Sequence, residues 1–451
     1  MMNKDKKNKS VHVQTLGCKL NYAETSAILE NFVRNGWEIS AGDDVPDLVI
    51  IHTCAVTGKA GQKSRRQIRK MIKKYPDSRI AVVGCYAQLS PENIENISGV
   101  DVILGSGEKF VTEKYIRDYN PAVYKEISSP VTFEKAIPAH SLLCDRASGR
   151  TRAFLKIQDG CSYGCAYCVI PLARGRSRSV SFENVIEGAC ELAAAGYREI
   201  VLTGVNIADY RSGSATIVEL LKELDSLNNL RIRVSSIEPD VLSDKLIETV
   251  ASSSRVMPHF HLPLQSGSDN ILALMRRRYT SASYRERFLM AAGTIPGCAI
   301  GADVITGYPG ETETDFRSTY RLLELLPAAY LHVFPCSVRP GTVLEDQVSS
   351  GALKAISPET AHTRSNLLLA LAETKQKQFA QKYIGKKLKV LFEGCITSEK
   401  GENIISGYSE NYLRVNVRVE NSRPLDLVGR EKTVRVESID GDLILEGRFV
   451  T

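Results

Sequence analysis

The chain has 451 residues, 43% of them hydrophobic and 24% charged, which fits two to four soluble globular domains with a large core. Its net charge of +6 and pI of about 8.6 fall short of a dedicated nucleic-acid binder, so any basic footprint is local. Eleven irregularly spaced cysteines, no apolar run of membrane-span length and no apolar stretch behind the charged start MMNKDKKNKS exclude a disulfide scaffold, a membrane span and a secretory signal; they predict a cytoplasmic protein with reduced thiols.

The first ten residues read as a short disordered basic arm. From Val11 to about Ile116, strands alternate with amphipathic helices. Val11–Leu16, Leu48–His52, Ile80–Val83 and Val102–Leu104 are strands, and Asn21–Asn35 and Lys63–Lys74 are helices. This series predicts an α/β domain over residues 10–120, built on a doubly wound parallel sheet. Three strands run into cysteines: VHVQTLG into Cys18, DLVIIHT into Cys54 and RIAVVG into Cys85. Ligands in such sheets bind beyond the carboxyl ends of the strands. The three thiols therefore point to an iron–sulfur site with one iron left open. The competing reading is three small buried residues. In the second helix Ile68, Met71, Ile72 and Tyr75 form a buried stripe. Its other face carries Lys63, Arg65, Arg66, Arg69, Lys70, Lys73 and Lys74 without acidic partners. That face predicts phosphate binding, with Lys63, Arg66 and Arg69 as contacts, against the plainer alternative of a solvated surface.

Residues 121–150 lack periodicity, contain Pro121, Pro130 and Pro138, and predict a linker; Cys144 within it receives no role. Strand–helix alternation resumes over residues 151–382. Ala153–Ile157, Glu199–Leu202, Arg231–Val234, Pro258–Leu262, Ala299–Ile305 and Tyr330–Phe334 predict a partial (β/α)6 barrel with its site at the carboxyl ends of the strands. Just past the first strand lies DGCSYGCAYCVIPLARGRSRS, where Cys161, Cys165 and Cys168 stand in C-x3-C-x2-C spacing. Three close thiolates select zinc or an iron–sulfur cluster. Structural zinc wants four closed ligands, so the missing fourth cysteine favours a cluster with an open iron. Arg174, Arg176 and Arg178 follow, and Arg276, Arg277 and Arg278 come after the fourth strand; the guanidinium fork suits phosphate. Thr203, Gly204, Asn206, Ser235, Ser236, Glu238, Gln265, Asp303 and Gly307 mark the other strand ends. Together they suit the hydroxyls and amine of a nucleoside-sulfonium ligand, although each alone is equally a cap or turn residue. Ser181 is the expected N-cap of a helix whose apolar face includes Phe182, Val185, Ile186, Ala189 and Cys190, which makes Cys190 a core residue. His259, His261 and His332 are expected to be structural or hydrogen-bonding.

Residues 383–451 change character. KKLKVLFEG, ENIISGYS, NYLRVNVR, KTVRVES and LILEGRFV are short alternating strands, with Asp440-Gly441 as a hairpin signal. They predict a small antiparallel barrel of the OB kind, either an RNA platform or a structural cap. Lys386, Lys387, Lys389, Arg414 and Arg418 are candidate phosphate contacts, Tyr408 or Tyr412 a stacking surface, and Cys395 a structural residue.

From about Val11 onward the chain resembles the radical S-adenosylmethionine methylthiotransferases. The matching motifs are TLGCKLN (15–21), HTCAV (52–56), GCYAQ (84–88), the DGCSYGCAYC run, HLPLQSGS and DVITGYPGET. The resemblance implies two 4Fe–4S clusters. Cys161, Cys165 and Cys168 would hold the one that cleaves S-adenosylmethionine, and Cys18, Cys54 and Cys85 an auxiliary one involved in sulfur delivery. With that cofactor, the expected S-adenosylmethionine contacts are Tyr167 and the strand-end residues Thr203, Gly204, Asn206, Ser235, Glu238, Gln265 and Asp303, and the C-terminal barrel matches the position of the family's RNA-associated TRAM domain. TLGCKLN is most similar to the branch that modifies N6-threonylcarbamoyladenosine beside the tRNA anticodon, the MtaB type. The implied reaction puts methylthio on carbon 2 of that adenine, with one S-adenosylmethionine as radical source and a second as methyl donor. The implied partners are the tRNA anticodon stem-loop and an electron-donor protein; no motif identifies a sulfur donor. The alternatives are an isopentenyladenosine substrate, a ribosomal-protein aspartate, or a non-catalytic iron–sulfur protein that binds RNA. Two positions depart from the family: His52 stands where Asn is usual, and Cys336 where an aromatic residue is usual.

Overall fold

The computed structural model describes residues 9–40, 44–117, 126–127, 151–397, 402–419 and 424–450. The first eight residues of the expected arm, Cys144 and the expected linker lie outside them, apart from a two-residue strand, Glu126–Ile127; the arm's last residue, Ser10, is corrected to the start of a strand. The chain forms two compact units. One takes the described residues up to 127 with 154–180 and 337–342, and the other takes 151–153, 181–336 and 343–450. Residues 154–180, which carry the cysteine turn, therefore pack with the N-terminal sheet, across the expected boundary at 151.

The first unit is built on six parallel strands. In spatial order they are Glu38–Ile39, Ser10–Thr15, Leu48–Thr53, Arg79–Gly84, Val102–Leu104 and Glu126–Ile127. The doubly wound prediction holds; the two outer strands, each of two residues, are too short to signal themselves by alternation. Every residue of Leu48–Thr53 is buried. Leu48 and Ile50 face a core with Phe32 and Trp37, while Val49 and Ile51 face Ile68, Met71 and Tyr75 across the sheet. Strand order reverses between Ser10–Thr15 and Leu48–Thr53, the switch point where such sheets open a crevice. The basic helix runs Gly58–Lys74, five residues longer at its start than the expected Lys63–Lys74, because the Thr57 hydroxyl caps it by accepting from the Ala60 amide at 3.1 Å.

In the second unit Glu199–Thr203 pairs in parallel with Arg231–Val234, and His259–His261, Ala299–Thr306 and Tyr330–Pro335 form a second parallel set. A bridge between Ser236 and His261 joins the sets, and the strand that begins in this unit at Arg152 lies beside Glu199–Thr203. This is the predicted six-stranded partial barrel. In the helix Phe182–Ala194 the buried stripe is Val185, Gly188, Ala189 and Leu192. Cys190 falls off that stripe and is exposed, so its assignment to the core is corrected.

Five strands close the C-terminal barrel in the order Lys387–Thr397, Asn403–Ser409, Arg414–Val419, Leu445–Phe449, Glu431–Ile439. One neighbouring pair, Arg414–Val419 with Leu445–Phe449, is parallel, which is the OB arrangement rather than a wholly antiparallel one. The expected two-residue turn at Asp440-Gly441 is a longer loop. The Asp440 carboxylate accepts from the Asp442 and Ile444 amides at 2.9 and 2.8 Å, and Leu443 takes the left-handed position. A second correction concerns Tyr408 and Tyr412. They stack on each other, centroids 4.8 Å apart, under the guanidinium groups of Arg152 and Arg233 at 4.6 and 4.9 Å. The expected base-stacking surface is thus spent inside the chain, against the amino-terminal ends of the barrel strands.

Candidate functional site

Cys54 and Cys85 directly follow Thr53 and Gly84, and Cys18 lies three residues beyond Thr15, so three adjacent strands deliver their cysteines to one edge at the switch point. Gly17 makes the approach possible. Its φ is +104°, and a Cβ there would stand 2.7 Å from Cys54 Cβ and 3.0 Å from its sulfur. Asn21 fastens the same edge, its amide donating to the Leu16 and Thr53 carbonyls at 2.8 and 3.1 Å while Cys18 Sγ contacts its oxygen at 3.8 Å. Burial pushes the Cys54 thiol up to about 11, and the neighbouring Cys85 and Cys18 add to the rise. Cys18 is raised too, by burial first, with Arg174 opposing, although solvent reaches the residue. Sulfurs on one zinc ion would lie about 3.8 Å apart. Among the described residues neither cysteine trio gathers within 4.8 Å.

Behind the trio lies a buried ionic network that sequence reasoning missed. Glu24 accepts from Lys109 and Lys156, each at 2.7 Å, and from both terminal nitrogens of Arg174 at 2.8 and 3.0 Å. Asp159 accepts from Lys156 at 2.8 Å and Arg174 at 3.0 Å, and Arg174 also donates to Asn21 Oδ1 at 2.7 Å. Burial alone would raise both carboxyls, but Arg174 and the lysines hold them well below the usual range. Arg174 was expected to meet phosphate; its side chain is 2% exposed, so that expectation is corrected. Arg178 is likewise spent, on Asp159 at 3.0 Å and the Arg174 carbonyl at 2.7 Å, leaving Arg176 exposed. His52 is fully buried against Thr25 Oγ1 at 3.0 Å, and desolvation with nearby Lys109 lowers its pKa to about 3, so it adds no charge. The available signal was polar residues on apolar elements: Asn21 and Glu24 one turn apart after Cys18, and Lys156 ending an apolar strand.

The local trio sits in a turn stitched to the segment that follows. Gln158 pairs with Ser179 and Asp159 with Arg178. The Cys161 amide donates to the Gly175 carbonyl at 3.0 Å, and the Cys168 amide to the Cys165 carbonyl at 3.1 Å. Gly160 is obligatory here: its φ is +69°, and a Cβ would lie 2.1 Å from the Arg176 carbonyl oxygen. Cys161, Cys165, Cys168 and Tyr167 are half-buried, and the ten described cysteines are all thiols. Metal ligation would remove those protons.

In the partial barrel Leu202 pairs with Val234, which puts Thr203 and Ser235 on the next rung at the carboxyl edge. Both hydroxyls are buried without a hydrogen-bond partner, a costly state that a polar ligand relieves. Asn206 beside them accepts the Glu238 amide at 3.4 Å, Gly204 is half-buried, and Gln265 holds a left-handed conformation at its strand end. Two expected contacts are engaged elsewhere. The Glu238 carboxylate pairs with Arg277, and Asp303 Oδ1 accepts from His261 at 2.9 Å and His332 at 3.1 Å. Burial would raise Asp303, and these ring contacts hold it below its ordinary value instead. The histidines are hydrogen-bonding, as expected; His259 reaches the Tyr330 hydroxyl at 2.9 Å. Cys336 is half-buried and burial pushes its thiol up to about 12, so it stays protonated. On the basic helix Lys63, Arg66, Arg69, Lys70, Lys73 and Lys74 are exposed, while Arg65 donates to the Tyr86 hydroxyl at 2.6 Å. Lys387 and Arg414 are exposed on the C-terminal barrel, and Cys395 is half-buried in its longest strand.

Two family models match: the Uncharacterized protein family UPF0004 over residues 10–105 and the Radical SAM superfamily over residues 155–323. The chain is 37% identical over 448 residues to the threonylcarbamoyladenosine tRNA methylthiotransferase MtaB of Bacillus subtilis (strain 168), covering 98% of this chain and 96% of that one. It is 33% identical over 405 residues to a tRNA-2-methylthio-N(6)-dimethylallyladenosine synthase of Anaeromyxobacter sp. (strain K), covering 88% and 86%. Its fold matches the radical S-adenosylmethionine methyltransferase TsrM of Kitasatospora setae, solved with cobalamin and a [4Fe-4S] cluster, with TM-score 0.58 and 15% identity over 76% of this chain and 78% of that one.

Proposed function

This chain belongs to the threonylcarbamoyladenosine tRNA methylthiotransferases of the MtaB type, and we propose that it attaches a methylthio group to carbon 2 of N6-threonylcarbamoyladenosine next to the tRNA anticodon. The observation that carries the reading is the meeting of Cys18, Cys54 and Cys85 at one sheet edge, within the same compact unit as the C-x3-C-x2-C turn. On this reading Cys161, Cys165 and Cys168 hold one 4Fe–4S cluster and Cys18, Cys54 and Cys85 a second. Thr203 and Ser235, with Gly204, Asn206 and Gln265, hold S-adenosylmethionine. When bound, these groups supply the one-electron chemistry, sulfur and methyl that no side chain can bring to an aromatic C–H.

The chain's own residues bind and orient. Three cysteines per cluster leave one iron without a protein ligand, and the bend at Gly160 fixes the local trio through the Cys161 amide. Lys63, Arg66, Arg69 and Arg176, with Lys387 and Arg414, pair with RNA phosphates. Those contacts offset the few kcal/mol of unstacking a base, a cost already reduced in an anticodon loop. Residues 10–120, 151–382 and 383–451 act as the auxiliary-cluster, S-adenosylmethionine and RNA domains, joined by 121–150, in the cytoplasm with an electron-donor protein. No helix among the described residues is long and apolar enough to cross a membrane. The test is mass spectrometry of tRNA nucleosides from cells with and without the gene. Loss of 2-methylthio-N6-threonylcarbamoyladenosine is expected; its persistence, or loss of the isopentenyl analogue instead, overturns the substrate assignment.

A further inference from the structure

We propose that Arg174 is a positioning residue for the auxiliary cluster: one buried guanidinium that holds the scattered cysteine trio in place and balances its thiolate charge. This rests on the reading above that Cys18, Cys54 and Cys85 are cluster ligands.

Contacts tie Arg174 to both cysteine trios. Arg174 donates to Asn21 Oδ1, and the Asn21 amide ties down the Leu16 and Thr53 carbonyls, the backbone next to Cys18 and Cys54. The helix that Arg174 ends, Ile170–Arg174, packs through Ala173 in the same core as Cys85 and Tyr86 of Cys85–Leu89. Its other contacts lead to the local trio. Asp159, held at 3.0 Å, lies two residues before Cys161, and the Gly175 carbonyl adjoining Arg174 accepts the Cys161 amide. All of these residues belong to one compact unit.

The buried charges around Arg174 point the same way. Lys109, Lys156 and Arg174 are each at most 2% exposed, and the carboxylates buried with them are Glu24 and Asp159. Half-buried Arg178 adds a further cation rather than an anion. Three buried basic side chains face two buried carboxylates, and the one in excess is costly when charged unless an anion stands nearby. Thiolate ligands are that anion. The excess belongs to the site even though no residue of the network is itself a ligand.

The test uses the full-length chain reconstituted anaerobically with iron and sulfide, in a C161A/C165A/C168A background that leaves the scattered trio alone. Arg174→Gln removes a cation and should lower the cluster's reduction equilibrium constant at least tenfold, 59 mV for one electron. Glu24→Gln removes an anion from the same network and should shift it upward. Arg174→Lys keeps the charge and should stay within threefold of the parent. A purely structural network would not give opposite signs for R174Q and E24Q. Shifts of the same sign, or an R174Q value within threefold of the parent, overturn the proposal. If R174Q retains no cluster, E24Q decides: an upward shift supports the charge balance, and no shift or a downward one ends it. Failure of the ligand assignment is read separately. C18A/C54A/C85A in the otherwise native chain should lower bound iron from roughly eight to roughly four atoms per chain. Unchanged iron there removes the cluster from this edge whatever Arg174 does.

Discussion

Glu199→Gln tests the electrostatics of the second unit. Glu199 is fully buried at the start of its strand, and its two oxygens take the Nε and NH2 of Arg233 at 2.7 and 3.0 Å, with Arg152 and Arg231 at 3.8 and 3.9 Å. The amide preserves shape but leaves Arg233, itself 0% exposed, with one weakened bond and the Ser409 and Glu410 carbonyls at 3.2 and 3.0 Å. Breaking a buried pair from one side costs about 3–5 kcal/mol. The two carbonyls set the expectation at about 3 kcal/mol, more than a hundredfold in the opening equilibrium. Native-state hydrogen exchange of the full chain reads this directly. Protection in Arg231–Val234 and Lys387–Thr397 should fall by about that factor, while Leu48–Thr53 in the other unit is unaffected. Lys245→Ala breaks an exposed pair with Glu219 and should cost under about 1 kcal/mol. A loss below tenfold for Glu199→Gln, or an equal loss in Leu48–Thr53, would refute the reasoning.

The same carboxylate sets a pH dependence. Burial would raise Glu199, but Arg233 first and then Arg152 and Arg231 hold it below its ordinary value. The stability it gives is therefore complete above the unfolded value of about 4.3 and is lost as pH falls toward the folded one; exchange protection should show that loss in the parent and not in Glu199→Gln. Thr203→Val should weaken S-adenosylmethionine binding about tenfold by calorimetry without lowering stability, because it removes an unpartnered buried hydroxyl; unchanged affinity excludes Thr203 from the ligand. Replacing Lys63, Arg66 and Arg69 together by alanine should reduce the slope of log affinity against log salt, for an anticodon stem-loop RNA, by about 2–3. An unchanged slope makes that face a solvated one.

Much of the fold was legible because its strands are long or end in signals. Leu48–Thr53 is buried on both faces and reads as an unbroken apolar run, and three strands ending in cysteine announced their own edge. What stayed hidden has a common cause. Arg174 looks the same in sequence as the exposed Arg176, because burial depends on Glu24 and Asp159, distant along the chain and close in space. Tyr408 and Tyr412 carry the marks of a stacking platform, and only the barrel ends they cover show that the rings are occupied. Asp303 was recognisable as a strand-end carboxylate, but its two histidines arrive from neighbouring strands through a register the sequence does not print.

The stacked tyrosines make the tail a stopper as well as an appendage. A chain cut near residue 383 would strip the cover from Arg152, Arg231 and Arg233 and leave three guanidinium groups around one carboxylate, open to water. Such a truncation would gain adventitious affinity for any polyanion while losing rigidity, so its RNA binding would say little about what the tail contributes. Point changes at Lys387 and Arg414, which leave the plug seated, are the cleaner dissection.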